Sequence, residues 1–126
     1  MNKKYFIENL NAVAAELEPL IHSSSGSALH WNGSEYAKGH DKVSDPKALQ
    51  WYSMLKIIAE MLDRQDSPVT CRQMDYLRIL LFGGMGSLND LSFDSKVVGG
   101  VANTIEQNLN EKRHSLYVAF NANDPT

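Results

Sequence analysis

The chain has a single cysteine, four prolines and no surplus of basic residues. Two of these scarcities each remove a class of protein. One cysteine, Cys71, cannot close an intramolecular disulfide, so a stapled secreted scaffold is excluded. Twelve Lys and Arg stand against fifteen Asp and Glu, a formal net charge of −3. Phosphate backbones require clustered cations, and only Lys3–Lys4 and Lys112–Arg113 are adjacent. Nucleic acid is therefore not an expected partner. No apolar run approaches the roughly 20 residues of a membrane span, so no membrane partner is expected either. Near the N-terminus Glu8, Glu16 and Glu18 interrupt what would have to be an apolar signal core. The expected compartment is the cytoplasm. The four histidines, His22, His30, His40 and His114, include no pair at the three- or four-residue spacing of a helical metal site. No catalytic residue, metal or cofactor is expected.

What is present is a pattern of helices. Hydrophobic residues at 43% and charged residues at 21% describe a globular chain. Its 126 residues fit one helical domain over 1–126. Phe6, Leu10, Val13, Ala14, Leu17 and Ile21 share one helical face over residues 3–22, behind Asn2 as a cap. Pro19 removes a backbone bond, so the helix is expected to kink or end there. Asp45 and Pro46 open the clearest helix, 46–64, with Ala48, Trp51, Tyr52, Leu55, Ile58, Ala59 and Leu62 as its stripe. Thr70 caps a third helix to residue 82, where Met74, Leu77, Leu80, Leu81 and Phe82 are core candidates. Its second half, ILLF, is apolar nearly all round, which predicts a central position. Cys71 in its first turn is expected to be a buried, inert thiol.

A fourth helix carries Val98, Val101, Ala102, Ile105 and Leu109, then Leu116 and Phe120, behind a cap at Asp94 or Ser95. Gly99-Gly100 weakens its first turn and moves the expected start toward Ala102. The tail NANDPT is expected to fray. Short connections after residue 45 predict antiparallel neighbours. The fold class is all-α, a four- or five-helix bundle with one long irregular loop at 23–44. Asn32-Gly33 could fold that loop into a small β-hairpin.

Two loops hold the candidate contacts. In 23–44, the aromatics Trp31 and Tyr36 and the carboxylates Glu35 and Asp41 are candidate partner-binding residues, because long loops in compact domains are often functional. In 81–91, LFGGMGSLNDL places Gly83, Gly84 and Gly86 within four residues. Converging N–H groups of that kind can hold an anion. Here the glycines follow a helix and meet its negative dipole end, with no Lys-Ser/Thr behind them. A tight interhelical turn is the stronger reading, with Asn89 and Asp90 satisfying backbone groups and available to a partner.

The stretch from Trp51 to about Leu116 resembles a small bacterial domain of unknown function. Its members carry a Leu-Phe-Gly-Gly-Met-Gly-Ser motif followed by an aromatic residue or leucine and then Asn-Asp. The motif stands here as Leu81, Phe82, Gly83, Gly84, Met85, Gly86, Ser87, Leu88, Asn89 and Asp90. The resemblance covers about half the chain and brings no established chemistry. In class, though not in motif, the chain is similar to immunity proteins of interbacterial toxin systems. That likeness implies a cognate toxin as partner, neutralised by stoichiometric binding. The alternative is a small enzyme or ligand-binding domain in which Asn89, Asp90 and a histidine line a pocket at the 83–90 loop.

Overall fold

The computed structural model describes residues 1–21, 46–92 and 101–122, with backbone alone for 101–105. Four helices account for most of them: α1 (Lys3–Ile21), α2 (Pro46–Arg64), α3 (Cys71–Phe82) and α4 (Val101–Asn121). A 3-10 turn, Leu88–Asp90, follows α3. No strand occurs among the described residues, and the fold is an all-α bundle. The Asn32-Gly33 hairpin, the 23–44 loop, and the caps at Asp45, Asp94 or Ser95 lie outside those residues.

Local chemistry sets the helix starts. The Asn2 side-chain oxygen accepts the Tyr5 N–H at 3.1 Å, and the Asn2 carbonyl accepts the Phe6 N–H at 2.9 Å. Two of the orphan donors of α1 are thus satisfied. At α3, Thr70 and Gln73 form a reciprocal capping box. The Gln73 N–H donates to Thr70 Oγ1 at 3.1 Å and the Thr70 N–H to Gln73 Oε1 at 2.9 Å. Gln73 also exchanges amide hydrogen bonds with Gln65, at 2.7 and 3.1 Å, which ties the end of α2 to the start of α3.

Helix α1 is the pivot, packed against both α2 and α4. Its buried stripe is Phe6, Asn9, Leu10, Val13, Ala14, Leu17 and Leu20. The Lys3 ammonium donates to the carbonyls of Gln65 and Ser67, while Lys56 donates to Asn11 Oδ1 at 3.1 Å. The start of α1 therefore lies at the end of α2, and the two run antiparallel. Phe6 meets Phe120 near the end of α4, with ring centroids 5.8 Å apart. Phe82 from α3 packs edge-on against Phe120 at 5.3 Å and Tyr117 at 5.1 Å. This aromatic cluster joins three helices at one place.

Three expectations need correction. Helix α1 does not end at Pro19 but runs on to Ile21. A proline in the last turn costs only one intrahelical bond, and burial of Leu20 holds the turn in place. The buried residue there is Leu20, with Ile21 only partly covered. Helix α3 is not central: it buries Leu77 and Leu81 but leaves Ile79 70% and Tyr76 63% exposed. Two positions from Leu77 is 200° around the helix, so Ile79 faces outward whatever its hydrophobicity. Cys71 is exposed. Its offset from Leu77 carries it off the inward stripe, so helical phase overrides the general tendency of thiols to be buried.

These placements order the stability losses expected on truncation. Leu10→Ala should lower the unfolding free energy by about 2–5 kcal/mol. Thr70→Ala should cost about 1 kcal/mol through the lost cap, and Ile79→Ala should stay within about 0.5 kcal/mol. Urea titration of the three variants checks the order. A loss at Ile79 as large as that at Leu10 would place Ile79 inside the bundle.

Candidate interaction surface

Two features stand out once the helices are in place: the glycine turn after α3 and the groove between α2 and α3. The turn is internally satisfied. The Gly83 N–H donates to the Ile79 carbonyl at 3.0 Å and closes α3. The Gly84 N–H donates to Ser87 Oγ at 3.2 Å, the Ser87 N–H to the Gly84 carbonyl at 2.9 Å, and the Gly86 N–H to Asp90 Oδ2 at 3.0 Å. The Gly83 donor is taken up by α3 and the other three by the turn itself, so none of the four is offered to an anion.

Each glycine has its own reason to be there. Gly84 and Gly86 hold φ of 121° and 84°, a region that side chains with a Cβ rarely enter. A Cβ on Gly83 would collide with the Ile79 carbonyl. Met85 between them is 97% exposed, the most exposed large apolar residue described.

Arg113 of α4 fixes the turn from beneath. Its guanidinium donates to the carbonyls of Leu88 at 2.6 Å and Leu91 at 2.9 Å, and to Asn110 Oδ1. Burial pulls its pKa below the usual guanidinium value, while Glu106 pushes it back up. Arginine stays charged through such a shift, so these are charge-assisted bonds. Leu88 and Leu91 are buried beside it and anchor the turn to the core.

The sequence-derived contact residues separate in space. Asp90 is engaged with the Gly86 N–H inside the turn. Asn89 is exposed and lines an open polar cleft of about 390 Å³ with Asn110, Arg113, His114 and Tyr117. Asn89 and His114 are thus brought together, while Asp90 is turned to the glycines. Trp31, Glu35, Tyr36 and Asp41 lie outside the described residues.

The second feature was missed from the sequence. Helices α2 and α3 enclose a groove of about 360 Å³, lined by Ile58, Leu62 and Leu77 below and by Met61, Tyr76 and Arg72 at its sides. Helical phase extends it. Ile57 lies one turn from Met61 on α2, and Arg72, Tyr76 and Ile79 fall at i, i+4 and i+7 on α3. Ile57 and Met61 are 56% and 58% exposed. Met61 and Tyr76 thus face solvent at the groove, and Ile57 and Ile79 are exposed on the outer flanks of the same two helices. The all-round apolar character of α3 carried this signal: Leu77 and Leu81 serve the core, and Tyr76 and Ile79 form a second apolar face. Comparison with family models, curated proteins and solved structures finds no match to this chain.

The hydrogen bonds of the turn assign different parts to neighbouring residues. Asp90→Ala should speed hydrogen exchange at the Gly86 amide by about tenfold, as expected for loss of one charged acceptor worth roughly 1.5 kcal/mol. Asn89→Ala should leave that amide unchanged. Amide exchange followed by NMR checks both, and equal acceleration by the two variants would contradict the arrangement.

Proposed function

We propose that this is a non-catalytic protein-binding domain that acts by occluding a partner, in the manner of an immunity protein neutralising a cognate toxin. The observation that carries the reading is the exposed apolar face of α2 and α3. Ile57, Met61, Tyr76 and Ile79 are large, apolar and more than half exposed. Clustered exposed apolar surface marks an interaction site. Tyrosine beside aliphatic side chains is the composition that concentrates binding energy at interface centres. Met85 on its rigid turn adds a second apolar contact near the other end of α3.

The immunity reading rests on the likeness of class and on this surface. Occlusion needs complementarity over roughly 1,200–2,000 Å² in total and no catalytic group. A second reading, a small-molecule site beside the glycine turn, draws on the polar cleft shared by Asn89 and His114. Arg113 in that cleft is already engaged with two carbonyls and Asn110, which leaves it less able to bind a ligand.

Co-expression with candidate toxins encoded by neighbouring genes tests the proposal. The expected outcome is suppression of toxicity through a one-to-one complex, with amide protection gained on α2 and α3. Tyr76→Ala combined with Ile79→Asp should weaken the complex by about a hundredfold or more, the effect of losing two central contacts. Undiminished toxicity, or protection confined to other surfaces, would refute it.

A further inference from the structure

The α2–α3 face is apolar, but its charge is not neutral. Two arginines of α2 and α3 are paired on their own helices. Arg64 meets Glu60 at 2.6 Å, and Arg78 meets Asp75 at 3.1 Å while stacking over the Phe120 ring. Arg72 is different. It lines the groove, is exposed, and has no ion pair among the described residues. None of the described residues lining the groove is acidic. A protein of net charge −3 therefore presents an unpaired cation at the rim of its apolar groove.

The groove also has the shape of a helix seat. Helices α2 and α3 form its walls, with Ile58 and Leu62 from one and Leu77 from the other as the floor. Helix α3 lines it from Arg72 to Leu77, about 8 Å of wall at 1.5 Å per residue. An amphipathic helix laid between such walls contacts them through residues at i, i+3, i+4 and i+7.

We infer that the groove binds an acidic amphipathic helix of a partner protein, its apolar stripe lying between Met61 and Tyr76 and a carboxylate pairing with Arg72. The inference rests on the protein-binding reading above and specifies the chemistry of its ligand. A second copy of the chain fits less well. A two-fold pairing through this face would bring two Arg72 side chains to one interface, with no acidic side chain among the described lining residues to meet them. Like charges at an interface are costly, whereas a partner carboxylate fixes register and speeds encounter.

The test uses the full chain and two synthetic helical peptides of about 14 residues, long enough for a groove of this span. Both carry leucines at i, i+3, i+4 and i+7. One flanks the stripe with glutamates and the other with lysines. NMR titration should shift the amides of Met61, Tyr76 and Leu77. The glutamate peptide should bind about fivefold more tightly, the size of one exposed ion pair. Arg72→Glu should reverse the preference, and Tyr76→Ala should weaken both peptides by about tenfold. Both residues are exposed, so thermal unfolding close to that of the parent chain will show that the variants fold.

Shifts absent from the groove, or a preference that survives Arg72→Glu, would overturn the inference. So would a concentration-dependent dimer in sedimentation that Tyr76→Glu dissolves, because the occupant would then be a second copy. Failure of the functional reading is distinct. In that case the peptides bind with the expected charge preference, but Tyr76→Ala combined with Ile79→Asp leaves toxin neutralisation intact.

Discussion

Everything in this structure hangs on the burial of one stripe of α1. Phe6, Leu10, Val13, Ala14 and Leu17 lie almost wholly out of water between α2 and α4. Each buried aliphatic or aromatic side chain contributes about 1.5–3 kcal/mol of transfer free energy, set against the ordering entropy of the chain. Helices of this length are marginal alone in water, so the stripe is what makes α2 and α4 persist as neighbours. Polar contacts then set the register. Lys3 on the carbonyls of Gln65 and Ser67, and Lys56 on Asn11, fix which end of α2 meets which end of α1.

Helix α3 is attached more lightly, and that is why it has surface to offer. Leu77 and Leu81 reach the core, and Phe82 joins the aromatic cluster with Phe120 and Tyr117. Its two ends are held by polar networks. The capping box and the Gln65–Gln73 pair hold the start. The glycine turn, held by Arg113, holds the end. A helix pinned at both ends can leave its remaining side exposed without detaching. The cost is solvent-exposed apolar area at Tyr76 and Ile79, which gives no stability to the isolated bundle and is recovered when a partner covers it.

The glycine turn is where local and tertiary constraints meet. Two positive φ angles and a close approach to the Ile79 carbonyl account for three glycines. The turn's donors are then closed by Ser87 and Asp90 from within. Arg113, distant in sequence and adjacent in space, closes the carbonyl side. Hydrogen bonds from Gly84, Gly86, Ser87 and Arg113 thus hold the turn on both its donor and its acceptor side.

Apolar periodicity by itself determined the four helices, the α1 and α2 stripes and the core roles of Leu77, Leu81, Leu109, Leu116 and Phe120. It did so because 3.6-residue spacing and burial are two descriptions of one geometry. Local chemistry likewise determined the caps at Asn2 and Thr70 and the turn at Gly83–Gly86, since their partners lie within a few residues. Tertiary structure alone decided the rest. It put Leu20 inward instead of Ile21, Cys71 outward, and Arg113 under the turn. It also decided that the apolar second half of α3 would form a groove wall and not a bundle centre. A sequence states how hydrophobic a helix is on each side. Which sides find a neighbour depends on how many helices pack there, and that is settled only when the whole bundle assembles.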